Sequence, residues 1–272
     1  MRKAEQKLGV RGIREPVILL GLGFTTRRLA RRLLLRRVPV FAVVRRPERF
    51  ADLRALGIRF GGFPRGAILV DTVPPLLPEE ADPLREQMRQ LGPRRIVYIS
   101  STGVYGTQSE VDENTPVIAS DEKATQRIDD ERWIESGPWE SLIVRPAAIY
   151  GPGRGIHMRI KERRLPRTEP GGITSRIHVD DLAAAVEAGA FSNLTGAFPL
   201  ADDHPCSSAE IARWCARLLR MDLNAEWSEN IPVWGRRVDG RKIRELLGIE
   251  LKYPKYDSGI LASMAEEMTS EA

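Results

Sequence analysis

Cysteine and histidine are scarce in this chain of 272 residues, which holds two of the former and three of the latter. Cys206 and Cys215 fall on what reads as one helix and its leading loop, a spacing that suits neither a disulfide framework nor a zinc site. His157, His178 and His204 lie in unrelated segments, without the clustered spacing of a catalytic metal centre, so no metal is expected. Long apolar runs are also missing. Leu33-Leu34-Leu35 is cut off by Arg36 and Arg37, far short of the roughly 18 apolar residues that a membrane span needs. The basic start, Met1 to Lys7, lacks an apolar core and a small-residue cleavage site, so it does not read as a secretory signal and a cytoplasmic location is expected. Most telling, no tyrosine occurs between Tyr105 and Tyr150, and no acidic residue between Gly21 and Glu48.

What is present describes a globular protein: 42% hydrophobic and 29% charged residues, with a formal charge of +5. The length suits one substantial core with an appended lobe. Arg27, Arg28, Arg31, Arg32, Arg36, Arg37, Arg45 and Arg46 crowd one short stretch, as in chains that neutralise nucleic-acid phosphates. Leu29, Ala30, Leu33 and Leu34 form an apolar stripe at helical spacing, however, which turns most of those arginines to solvent. With no aromatic platform beside them, no nucleic-acid partner is expected.

Strand and helix patterns alternate through residues 16–150. Short apolar runs at Val17–Leu20, Val38–Val44, Ile58–Phe60, Ala67–Val70, Arg95–Ser100 and Ser141–Val144 read as buried strands. Helical patterns at Thr25–Arg37, from Pro47 to near Gly57, at Pro78–Leu91 and at Ser120–Ser136 separate them. This alternation is the signature of a Rossmann-type, doubly wound α/β sheet. Residues 1–15 read as a basic tail, and 176–200 as completing the core. Residues 151–175 and 201–272 read as segments of a small substrate lobe, with an irregular stretch over 151–172 and helices at Ser207–Leu219 and Gly240–Leu247.

Gly21-Leu22-Gly23 stands at the first strand–helix junction. There the glycines let the backbone approach a pyrophosphate, and the N–H groups of Phe24, Thr25 and Thr26 open the helix toward that anion. A 2′-hydroxyl is usually held by an acidic residue about 20 positions onward, but here the second strand ends in Arg45 and Arg46. Two guanidinium groups suit a 2′-phosphate, so NADP is the expected cofactor, with NAD as the alternative.

Several blocks in order, Ser100-Ser-Thr-Gly-Val-Tyr-Gly106, Arg145-Pro-Ala-Ala-Ile-Tyr-Gly-Pro-Gly-Arg154 and Arg176-Ile-His-Val-Asp-Asp-Leu182, resemble the extended short-chain dehydrogenase/reductase superfamily, often described as NAD-dependent epimerase/dehydratases. The likeness is to its atypical branch, and it implies a dinucleotide cofactor and a small-molecule substrate. It also implies that Val73, Pro74 and Pro75 run along the cofactor's ribose, that Ser100 is a cofactor-binding residue, and that the backbone at Pro146 and Ala147 meets the nicotinamide. Ser101 would hydrogen-bond the substrate oxygen, with Thr102, Tyr150, Arg154 and His178 on the substrate side.

Departures from the family pattern are specific. The usual Tyr-x-x-x-Lys pair is absent, and alignment on Glu131 puts Lys123 and Arg127 in its two places, four apart and so on one helix face. Thr26 replaces a third glycine, and almost no chain separates Phe60 from Ala67. The expected function is an NAD(P)-dependent oxidoreductase or epimerase-like enzyme acting on a small carbonyl or hydroxyl compound. The alternative is a non-catalytic NADP(H)-binding sensor or partner subunit, and a homodimer fits either.

Overall fold

The computed structural model describes residues 15–162, 172–221 and 235–271. All of the expected basic tail except Glu15, and positions 163–171 of the expected irregular stretch, lie outside the described residues.

Six parallel strands form the central sheet. In chain order they are β1 (Val17–Leu20), β2 (Val40–Val43), β3 (Ile68–Asp71), β4 (Arg95–Ile99), β5 (Glu140–Pro146) and β6 (Gly196–Leu200). In space they run β6-β5-β4-β3-β1-β2. Alternate side chains feed two cores. Val17, Leu19, Val40, Val70, Val97 and Leu142 face α1 (Phe24–Leu35) and the alanine-rich α2 (Val179–Ala190). Ile18, Leu20, Phe41, Leu69, Ile96 and Ile143 face the helices Pro78–Leu91, through Met88, and Glu122–Glu135, through Ile134. A sheet covered on both sides explains why its strands read as unbroken apolar runs.

Ile58–Phe60, expected as a strand, makes only a single bridge, between Arg59 and Phe41. Gly61 and Gly62, at φ +143° and +64°, turn the chain away after that one pair, and no helix forms before β3. The expected irregular stretch holds a helix at Ile156–Lys161. Ile160 anchors it in a third apolar cluster with Ile211, Cys215, Tyr256 and Ile260, contacts too distant in sequence for a local pattern to reveal. A final helix, Tyr256–Glu271, returns to the core: Asp181 accepts hydrogen bonds from the N–H groups of Lys252 and Tyr253 at 2.8 and 3.0 Å, fixing the approach to it. Among the described residues no helix is long and apolar enough to cross a membrane.

Candidate functional site

At the β1–α1 junction Gly21 takes φ +80°, and a Cβ on Gly23 would meet nothing within 4 Å. The turn therefore faces open space, the room that a close backbone approach to a pyrophosphate requires. Thr26, fully buried, explains the missing third glycine: its Oγ1 accepts the Gly23 N–H at 2.8 Å. That closes the turn but engages one donor, leaving the first-turn N–H groups of Phe24 and Thr25 without intrahelical partners. Arg45 and Arg46 lie exposed just beyond β2. Val73 and Pro74 follow β3 beside buried Asp71, whose Oδ1 accepts the Val73 N–H at 2.9 Å. Burial pushes the Asp71 carboxyl up to about 7. The groups present at this edge fit a dinucleotide.

A cavity of about 590 Å³ opens past the ends of β4 and β5, lined by Ser100, Ser101, Thr102, Arg127, Pro146, Ala147 and Arg154 among others. The chain thus brings together residues from two of the sequence blocks, 100–106 and 145–154, with Arg127 of the Glu122–Glu135 helix. Ser101 caps the short turn Thr102–Tyr105, its Oγ accepting the Gly103 N–H at 3.0 Å. Ser100 donates its hydroxyl to Glu131, which also receives Nε and Nη2 of Arg145 at 3.1 and 2.7 Å. Arg145 in turn donates to the Tyr105 hydroxyl at 3.2 Å. Behind the serines, then, lies a buried polar network that ties β4, β5 and the Glu122–Glu135 helix together.

Lys123 is exposed and does not line the cavity, whereas Arg127 does, reaching back to Tyr98 Oη at 3.4 Å. His178 is buried and caps α2, its Nδ1 accepting the Asp180 N–H at 3.2 Å while Nε2 meets Ser263 Oγ at 3.2 Å. Burial holds its imidazole down to about 4, in the neutral form. Tyr150 lines a second cavity of about 600 Å³, which shares Ala148, Ile149, Arg154 and Thr174 with the first. Its buried hydroxyl has no hydrogen-bond partner among the described residues.

Sequence reasoning missed Arg236, whose guanidinium donates to the carbonyl oxygens of Thr102, Gly106 and Gln108 and so fastens the turn carrying Ser101. No motif marks it, because its partners lie well over a hundred residues away. It also missed that Arg145 and Glu131 pair. A lone charge between Val144 and Pro146 in an apolar strand was the available signal. One trio of possible metal ligands, His204, Cys206 and Glu210, meets at the start of the Ser208–Leu219 helix. Arg176 Nη1 stands 3.6 Å from the Cys206 sulfur, a cation that opposes an ion there.

No family model matches the chain. A 153-residue stretch is 34% identical to the 3-diazoavenalumate denitrifying reductase of a Streptomyces species, over 50% of each chain. The chain therefore aligns with about half the length of that relative. A functionally unknown conserved protein from Silicibacter pomeroyi matches in structure at a TM-score of 0.76 and 28% identity, over 93% of this chain and 99% of that one. MoeE5, solved with UDP-glucose and NAD, matches at a TM-score of 0.74 and 20% identity, over 94% and 100%. The chain also shares its fold with a putative NAD-dependent epimerase/dehydratase from Methylobacillus flagellatus, at a TM-score of 0.69 and 24% identity over 93% of this chain and 99% of that one.

Proposed function

We propose that this protein is an NAD(P)-dependent oxidoreductase of epimerase-like type, preferring NADP(H) and acting on a small carbonyl or hydroxyl compound. The observation that carries the reading is the serine-lined cavity at the carboxyl ends of β4 and β5, on the same sheet edge as the open Gly21–Gly23 turn. Ligands of doubly wound sheets bind along this edge. Gly21, Gly23, Phe24, Thr25 and Thr26 would form the pyrophosphate seat, and Arg45 and Arg46 would take the 2′-phosphate. Val73, Pro74 and Pro75 would flank the ribose, with Ser100 beside the cofactor and Pro146 and Ala147 against the nicotinamide. When bound, the dinucleotide supplies or accepts hydride.

Ser101 orients the substrate oxygen, with Thr102, Tyr150, Arg154 and His178 on the substrate side. Of these, Ser101, Thr102 and Arg154 line the cavity directly. Lys123 and Arg127 stand where the family's acid pair would be, and Arg127 alone of the two borders the cavity. The reading therefore gives Arg127 the role of a fixed positive charge and leaves the proton to water or substrate rather than to Lys123. NADPH fluorescence titration followed by single-turnover oxidation with a panel of carbonyl compounds tests it. Binding with turnover is expected, and no binding defeats the reading.

A second reading, a non-catalytic NADP(H) sensor, draws on one observation. Among the described residues, the cavity lining holds no aspartate, glutamate, histidine, lysine, cysteine or tyrosine. Tight NADPH binding with no turnover on any compound favours it.

A further inference from the structure

The same cavity lining carries a charge pattern of its own. Its ionisable side chains, among the described residues, are Arg127, Arg154 and Arg236, with no carboxylate between them. Arg154 forms no ion pair among the described residues. Its guanidinium rests 5.3 Å from the centre of the Phe24 ring, at the first position of α1, and it borders both cavities. Arg236 spends its donors on carbonyl oxygens, which engage its hydrogens but leave its charge uncancelled. Among the described residues Arg127 forms no ion pair and hydrogen-bonds Tyr98 Oη and the Ile99 carbonyl oxygen at 3.4 and 3.5 Å, the long end of hydrogen bonding, while the carboxyls of Asp71 and Asp130 act on it at longer range. Acidic groups exist nearby but are engaged elsewhere: Glu131 with Arg145 and Ser100 and Asp130 with Arg85, while Asp71, at the end of β3, is pushed toward its neutral form by burial.

Cations gathered in a partly enclosed space repel one another, and a low-dielectric wall strengthens that repulsion. An anion placed among them relieves it, and arginine's planar donors match the geometry of carboxylate or phosphate.

We propose that the substrate carries an anionic group seated by Arg154, in the combined field of Arg127 and Arg236, next to the reacting end rather than at a remote handle. This names the substrate class of the oxidoreductase reading and rests on it. Ser100, Ser101, Thr102 and Arg154 share one lining, so the anion and the carbonyl or hydroxyl that it accompanies belong to one compact molecule. The second cavity extends the basic surface through Arg159 and Arg176, with Glu162 the single acidic residue among its described lining.

The test is calorimetry on NADP+-loaded protein with three matched probes: 4-formylbenzoate, its methyl ester, and 4-formylphenyl phosphate. At least about tenfold tighter binding of an anionic probe than of the ester is expected, which corresponds to about 1.4 kcal/mol. The ratio between benzoate and phosphate distinguishes a carboxylate seat from a phosphate seat. Arg154→Gln should bring the anionic probes down to the ester's affinity, while Arg154→Lys should keep part of the preference. Far-ultraviolet circular dichroism and NADPH fluorescence verify that each variant is folded and loads cofactor. Equal affinity for acid, phosphate and ester in the wild type overturns the proposal and leaves the cofactor reading intact. Failure of the wild type to bind NADPH overturns both.

Discussion

Arg145 and Glu131 form a two-point ion pair, Nη2 to Oε2 at 2.7 Å and Nε to Oε1 at 3.1 Å, with both side chains almost wholly out of water. Removing one member strands the other, which typically costs about 3–5 kcal/mol. Glu131→Gln should accordingly lower the urea midpoint sharply. Arg145→Met paired with Glu131→Met should recover most of that loss, because both desolvated charges disappear together. A double variant no more stable than Glu131→Gln would mean that the loss comes from Ser100, the third member of the network, and not from the ion pair.

Asp71 gives a pH signature. Its carboxyl titrates near 3.8 when exposed in the unfolded chain and is raised to about 7 by burial in the native state. Between these values the native state holds the extra proton, so the ionisation penalty grows as pH rises through the window and is complete above about 7. Asp71→Asn keeps the oxygen that accepts the Val73 N–H and cannot ionise. It should match wild-type stability near pH 4 and exceed it by on the order of 4 kcal/mol at pH 8, read from urea unfolding at both pH values. A constant difference between them would show that Asp71 titrates normally.

Arg45 and Arg46 set the expected cofactor preference. Loss of one charged hydrogen-bonding partner of a phosphate costs about 1.5–3 kcal/mol, so Arg45→Ala should weaken NADPH binding about tenfold or more and leave NADH little changed. Calorimetry with both dinucleotides decides this. Equal affinities in wild type and variant would assign the 2′-phosphate to other groups.

Lys123 should prove dispensable. A positioned general acid contributes about 10² to 10⁴ in rate, so if this lysine carried the proton Lys123→Met would abolish turnover by that factor. Its exposure outside the cavity leads us to expect unchanged single-turnover rates and unchanged NADPH binding. A collapse in rate with binding preserved would return the proton to Lys123.

How much of this was legible beforehand depends on the range of the interactions. The sheet strands and their flanking helices declared themselves through local apolar runs, glycines and prolines. Pro78, for example, opens its helix and Gly92 caps it in the left-handed region. Ile58–Phe60 carried the same local signal, yet the two glycines beyond it left only one paired residue. The site was half legible. Ser100, Ser101, Thr102 and Arg154 come from recognisable blocks, and the cavity collects them. Arg236 and the helix at Ile156–Lys161 were not visible, because each depends on partners far along the chain. His178 illustrates a different limit. The resemblance assigns it to the substrate side, and no local pattern announces that its ring nitrogens bond the Asp180 N–H and the Ser263 hydroxyl.

The final helix reaches back across the molecule through one carboxylate. Glu267 Oε1 accepts the Gly153 N–H at 2.7 Å and meets His157 Nε2 at 3.0 Å. These contacts flank Arg154 on both sides. The last turns of the described chain thus act as a clasp on the segment that presents Arg154, while the six-stranded sheet is assembled entirely from residues before Ala201. Glu267→Ala would open the clasp without touching any strand pairing of the sheet. Under the proposed function, dinucleotide grip and substrate grip would then come apart as separable properties of one polypeptide.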